Sequence, residues 1–206
     1  MESILKNNLN TSFEHFVGKY TSCLKDCFTE EMNKKIHILA NSLRDVWSSG
    51  NNVFLCGNGG SAGNANHIAN DLIYGTGNCG RGQKINGIKV NALSANPAIL
   101  TCLGNDIGFE NIFSYQLSVQ ASENDILIAL SGSGNSPNIV SAINKANKIG
   151  LKTFAILAFD GGKCKELAKY PMHFEINDMQ IAEDIQMIVG HLCMQWLSNN
   201  KPDFIK

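Results

Sequence analysis

No excess of charge marks this chain: 17 Lys and Arg stand against 18 Asp and Glu, a net charge of -1 over 206 residues. Without a basic surplus it offers no electrostatic footprint to nucleic acid, and it has no acidic tail. No stretch reaches 18 apolar residues, so no membrane span is expected. The opening MESILKNNLNTSFEHF has no apolar segment of signal-peptide type. The seven cysteines are odd in number and contain no CxxC and no paired spacing, which fits reduced thiols in a cytoplasm better than a disulfide framework. A composition that is 44% hydrophobic and 17% charged is too apolar for disorder and too mixed for a fibre. The length suits one domain of ordinary size, with or without an added helical segment.

Two periods divide what is there. Up to residue 50 the spacing is helical: Phe13, Phe16, Val17 and Tyr20, then Met32, Ile36, Leu39, Leu43 and Val46. Ser48-Ser49-Gly50 stops the second helix. Beyond it, short apolar runs alternate with helical patterns. Strands are predicted at 53–56, 88–93, 126–130, 153–157 and, more weakly, 172–176. Helices are predicted at about 62–74, 137–149 and 180–197, with another start possible at Pro97. The glycine-rich stretch 75–87 is expected to be a loop. Buried strands separated by helices predict an α/β fold, a three-layer αβα sandwich with a central, mostly parallel five-stranded sheet. Two N-terminal helices precede it. In such sheets ligands bind beyond the carboxyl ends of the strands, so the loops after the first and third strands are the places to look.

The first of these is Cys56-Gly57-Asn58-Gly59-Gly60-Ser61-Ala62-Gly63. Glycines let backbone N–H groups approach an anion, and the following helix presents its positive end. The second is Ser131-Gly132-Ser133-Gly134-Asn135-Ser136-Pro137. A bare helix cap needs one serine; three hydroxyls and two glycines suit a phosphomonoester. There is no GxxxxGK[ST] of a nucleoside triphosphatase. A dinucleotide site would want an acid closing the second strand, where this chain has Asn91 and Ser94. His67 and Asp71, four apart, share one helix face, and the last helix carries Glu183, Asp184 and His191. Two such sets in an α/β domain suggest a metal or acid–base site. His15, His37 and His173 are expected to be structural.

Taken together, CGNGGSAGNANH, LGNDIGFENIFSYQL, SGSGNSPN and DGGK resemble the phosphoheptose isomerase family of sugar-isomerase (SIS) domain proteins, over essentially the whole chain. The resemblance implies a cytoplasmic homotetramer with zinc and with active sites at subunit interfaces. Residues 1–50 would be an N-terminal helical segment serving oligomerisation, and 51–206 the SIS sugar-phosphate-binding domain. The implied reaction is aldose–ketose isomerisation, most characteristically of sedoheptulose 7-phosphate to D-glycero-D-manno-heptose 7-phosphate through a cis-enediol. By position, Asn58, Gly59, Gly60, Asn105, Asp106, Ser131, Gly132, Ser133 and Ser136 would bind substrate. His67, Asp71, Glu183 and His191 would hold the metal, and Asp71, Glu183 and His191 would carry the proton transfers.

The chain departs from that pattern in its carboxylates. The family has Glu at the position of Asp71, Gln at that of Glu183 and Arg at that of Gly75. Eight residues on a helix span about 12 Å, which strains the common reach of Glu183 and His191 to one ion. Either a neighbouring subunit completes each site, or one of the two touches substrate. Two other expectations remain open: an isomerase for another sugar phosphate, and a non-catalytic SIS protein that binds the replication initiator, as one relative does.

Overall fold

Two helices lead into the sheet. Helix α1 (Phe13–Asp26) starts at Ser12, whose hydroxyl accepts from the His15 N–H. Helix α2 (Glu30–Ser49) starts at Thr29, capped in the same way from Met32, and ends on Gly50 in the left-handed conformation. They differ in depth. No residue of α1 is buried, whereas α2 sinks Met32, Ile36, Leu39, Leu43, Val46 and Trp47. The computed structural model describes residues 11–77 and 85–203; Cys79 and the middle of the glycine-rich stretch lie outside the described residues.

Strands β1 (Asn52–Cys56), β2 (Lys89–Ala92), β3 (Ile126–Ser131), β4 (Lys152–Leu157) and β5 (Tyr170–His173) form one parallel sheet in the order β2-β1-β3-β4-β5. Between and after them run α3 (Gly60–Asn70), α4 (Pro97–Ile107), α5 (Ile112–Gln120), α6 (Pro137–Ile149), α7 (Gly162–Leu167) and α8 (Met179–Asn199). Alternate residues of a strand face opposite sides. Val53, Leu55, Ile126, Ile128 and Leu130 therefore enter one core with α2, α3 and α8. Phe54, Cys56, Leu127 and Ala129 enter a second core with α5 and α6. Every residue of β3 is buried. The six described cysteines are free thiols. Burial pushes the Cys164 thiol up to about 11 and that of Cys193 up to about 12. No helix among the described residues is long and apolar enough to cross a membrane.

The sequence pattern misses in three places. The fifth strand lies at Tyr170–His173 instead of 172–176, because the Phe174 N–H still reaches Leu157 but Ile176 then turns back to accept from Phe159. Residues 97–120 hold two helices joined by a 3₁₀ turn, Phe109–Asn111, where only one start was legible. The helix after β1 changes at Asp71 into a π-helical turn, Asp71–Gly75, closed by the Thr76 N–H on the Asp71 carbonyl.

The candidate active site

The order β2-β1-β3 places the topological switch between β1 and β3. The chain leaves β1 for α3 on one face and β3 for α6 on the other, opening a crevice at their carboxyl ends. One wall is the serine loop. Ser131 Oγ accepts from the Gly134 N–H at 3.1 Å, and Ser133 Oγ accepts from the Asn135 N–H at 3.3 Å. Gly134 holds φ +65°, and a Cβ there would run into the Gly161 carbonyl, so only glycine closes this turn. Ser136 is the N-cap of α6 but its hydroxyl makes no capping bond, leaving it available to a ligand. The Asn135 carboxamide oxygen accepts from the Lys163 N–H, which ties the loop to α7.

The facing wall is the first loop and α3. Asn58 is not free: its amide exchanges two hydrogen bonds with Asn138, at 2.9 and 2.8 Å. Asn138 is buried in the first turn of α6, so this pair fixes one wall to the other. Asn138 is the last residue of SGSGNSPN, yet nothing in the spacing shows that it would meet Asn58.

Helices α3 and α8 lie side by side and parallel. Asn64 Nδ2 donates to the Glu183 carbonyl and to Gln186 Oε1, and Ser198 Oγ donates to the Gly75 carbonyl. Gly190 makes the approach possible: a Cβ there would overlap Ile68. One residue along from each, His67 and His191 meet. Their Nε2 atoms are 3.1 Å apart, and Asp71 Oδ2 stands 3.5 Å from the first and 3.4 Å from the second. The Asp71 side chain is 16% exposed; the imidazoles are about half exposed.

These three groups could hold a metal ion. The geometry suits the donor set. Zinc bonds of about 2.0–2.1 Å in a tetrahedron require ligand atoms about 3.3–3.4 Å apart. The observed edges of 3.1, 3.4 and 3.5 Å form such a triangular face, leaving the fourth direction to solvent or substrate.

Glu183 stands elsewhere. Its carboxylate lies over Gly60, at the start of α3, and it is not one of the three converging groups. Helix pitch is the reason, since two turns of α8 separate it from His191. Asn105 and Asp106 end α4 on the exposed surface, with the Asn105 amide donating to Asp106 Oδ1 at 2.7 Å. Gly75 is covered by the Met194 side chain, 3.2 Å from where a Cβ would sit. Along α8, Met179 lies over Gly132 of the serine loop, Glu183 over Gly60, and His191 beside Asp71. The steps from Met179 are about 6 Å to Glu183 and about 18 Å to His191.

A parallel sheet in the order β2-β1-β3-β4-β5, with a serine- and glycine-rich loop after β3 and an imidazole–carboxylate cluster between α3 and α8, defines a doubly wound α/β protein. The SIS domain family matches residues 15–158. The phosphoheptose isomerase of Akkermansia muciniphila is 37% identical over 159 residues, covering 76% of this chain and 80% of that protein. That of Clostridium acetobutylicum is 31% identical over 193 residues, covering 91% and 92%. The structure of the phosphoheptose isomerase GmhA from Neisseria gonorrhoeae superposes with a TM-score of 0.78, at 22% identity, over 91% of this chain and all of that one. The chain belongs to the phosphoheptose isomerase family, and it is an enzyme of the sugar-phosphate isomerase kind.

Proposed function

We propose that this enzyme converts sedoheptulose 7-phosphate to D-glycero-D-manno-heptose 7-phosphate through a cis-enediol. The observation that supports the reading is the presence in one fold of a serine-lined nest at the start of α6 and a cluster of two imidazoles and a carboxylate between α3 and α8. Ser131, Gly132, Ser133 and Ser136 grip the phosphate through hydroxyl and backbone donors. Asn58, Gly59 and Gly60 line the sugar's path. A carboxylate, of Asp71 or Glu183, takes the proton from C1; the carbonyl oxygen gains a proton, and His191 is placed to exchange it. Return of the proton to C2 and loss of the O1 proton give the aldehyde, so the reaction balances within the substrate. His67, Asp71 and His191 would hold zinc, and a bound zinc ion supplies polarisation of the carbonyl.

Assembly as a homotetramer completes the site in this reading. Asn105 and Asp106 point to solvent within one chain, and large apolar side chains do the same: Phe13, Phe109, Val119 and Leu192 are exposed. Helix α1, with no buried residue, is the natural element for residues 1–50 to offer a second copy. An interface would bring the surface pair Asn105–Asp106 of one subunit to the crevice of another.

The test is NMR of the protein with sedoheptulose 7-phosphate and zinc, manganese or nickel. The expected outcome is appearance of the aldose heptose phosphate. No conversion with any of the three ions rejects this substrate. A panel of other ketose phosphates, followed by deuterium uptake at the carbon next to the carbonyl, then separates a different sugar from a protein without isomerase activity. Gly75, covered by Met194 where the family resemblance leads one to expect Arg, is the feature that favours a different sugar.

A further inference from the structure

We infer that a cavity on the solvent side of α6 binds a small organic diphosphate, of the nucleoside diphosphate class, at a site separate from the serine loop. The cavity, of about 430 Å³, is walled by α6, by Lys163 of α7 and by Glu110 of the 3₁₀ turn. None of the residues assigned above to substrate or metal lines it. The site therefore stands or falls independently of the isomerase reading.

Three unpaired cations meet there. Lys145 and Lys148 of α6 and Lys163 of α7 line the cavity, and no hydrogen bond or ion pair among the described residues engages their ammonium groups. Other lysines of this chain are engaged: Lys34 and Lys35 pair with Glu30 and Glu31, and Lys89 and Lys169 donate to backbone carbonyls. The one acid at the cavity is Glu110, whose carboxylate lies over Gly108 and pairs with none of the three. The local balance is three cations to one anion, in a chain of net charge -1. Lys148 is in the last turn of α6, where helix dipoles favour a cation with no ligand present. Lys163 has no such reason: it stands in the first turn of α7, where the same dipoles oppose it.

The lining names the class of ligand. A phosphomonoester carries a charge of about -1.5 to -2, short of three ammonium groups; two linked phosphates come closer. Lysines on flexible stems meet phosphate as point charges, without demanding a fixed fork geometry. Two phosphates alone leave much of the cavity empty, for its volume falls within the range of about 300–1,000 Å³ that small-molecule sites occupy. Pro137 and Val140 add apolar wall, and beside them stand Ser141 and Asn144, whose side chains make no hydrogen bond among the described residues. Apolar surface with free hydroxyl and carboxamide groups suits a heterocycle and its sugar, and the lysines suit the diphosphate.

Only Asn135 and Pro137 are shared with the serine loop. Pro137 has no N–H to offer a ligand. The Asn135 carboxamide is engaged at both ends: Oδ1 accepts from the Lys163 N–H at 3.1 Å, and Nδ2 donates to the Ser133 carbonyl at 3.2 Å. Ser131, Ser133 and Ser136 do not line the cavity. A sugar phosphate in the loop and a diphosphate on α6 therefore draw on different groups, and the two are expected to bind together.

The experiment is calorimetry of the full chain with ADP and, in a separate arm, with inorganic pyrophosphate, each with and without saturating sedoheptulose 7-phosphate. One ADP should bind per chain with a Kd below about 1 mM, and the sugar phosphate should shift that value by less than about threefold. The double variant Lys145→Gln, Lys148→Gln should bind ADP at least about 30-fold more weakly, with its thermal midpoint and sugar-phosphate affinity unchanged. The double variant Lys145→Arg, Lys148→Arg should stay within about threefold of wild type, because the charge is kept. ADP binding tighter than pyrophosphate supports the organic half of the ligand; equal affinities overturn that half and leave a site for inorganic diphosphate. No saturable binding of either, or unaltered binding by the Gln variant, overturns the site. Displacement of ADP by the sugar phosphate also overturns it, by putting ADP in the serine loop. If sedoheptulose 7-phosphate itself fails to bind, the isomerase reading fails, while the ADP titrations of wild type and variants still decide this one.

Discussion

The serine loop and the histidine cluster are built on opposite plans. The loop closes on itself: its defining bonds join residues two or three apart, Ser131 to Gly134 and Ser133 to Asn135. The cluster joins residues 124 apart, and it exists only because Gly190 lets two helices touch. A local device survives changes in distant packing and fails when its own backbone is altered. A device assembled from two elements fails when either moves. Two substitutions should break the contrast in opposite directions.

The larger effect is expected from Gly134→Val. The left-handed φ of +65° and the Gly161 carbonyl leave a branched residue no room, and strain of this kind costs about 1–3 kcal/mol. A displacement of about 1 Å in the nest should weaken sugar-phosphate binding about 100-fold. Zinc uptake should be unchanged, since the cluster lies more than one helix turn away and shares no partner with the loop. Calorimetry with the sugar phosphate, and metal analysis of the same sample, check both halves. Gly190→Val should do the reverse. Overpacking against Ile68 should destabilise the fold by about 1–3 kcal/mol in denaturant titration. Zinc affinity should fall about tenfold, as when groups supporting a metal site are lost. A variant in which both functions fall together would show that loop and cluster are one cooperative unit.

The same contrast explains what the sequence discloses. The five parallel strands and the α6 boundaries from Pro137 to Gly150 follow from local apolar runs and from caps. The serine loop is legible because its chemistry lies within seven residues. His67 and Asp71 could be paired from their spacing on one helix. Their meeting with His191 depended on the parallel contact of α3 and α8, which no spacing encodes and only the resemblance suggested. Glu183 shows the limit in the other direction: sequence arithmetic already separates it from His191, but not what it would touch. The π-helical turn at Asp71 has no local signature, because nothing in Asp71-Leu72-Ile73-Tyr74-Gly75 distinguishes a five-residue ring from an ordinary helix. The shift of β5 arose from long-range pairing with Leu157 and Phe159.

Asn138→Ala probes the seam between the two walls and should have a smaller effect. It leaves the Asn58 carboxamide without either of its partners in a part-buried place. The expected loss is about 1–2 kcal/mol of stability, the cost of abandoning a buried amide. Sugar-phosphate affinity should drop less than in Gly134→Val, because the nest itself is intact. If affinity is untouched, the amide pair holds the fold and not the site, and the first loop contributes nothing to substrate.

The smallest effect belongs to the outermost tie. Tyr20 on α1 donates its phenol to Asp184 Oδ2 on α8 at 2.5 Å, a bond that adds to the packing of Tyr20, Cys23 and Leu24 in holding a helix with no fully buried residue. Partial burial, and then the Asp184 carboxylate, push the phenol above its ordinary value. A folded state that holds this proton more tightly than the unfolded chain is stabilised by it at all pH values below the unfolded value of about 10. Above that value the unfolded chain releases the proton while the folded state must keep it, so the contribution declines as pH rises. Tyr20→Phe should therefore lose about 0.5 kcal/mol at neutral pH, the lower range for a hydrogen bond near the surface. The gap to wild type should close in denaturant titrations between about pH 10 and 11, where the wild-type curve falls more steeply. A constant gap across that range would show that α1 is held by the packing of the ring rather than by its proton, and would make the N-terminal helix as dependent on distant contacts as the histidine cluster.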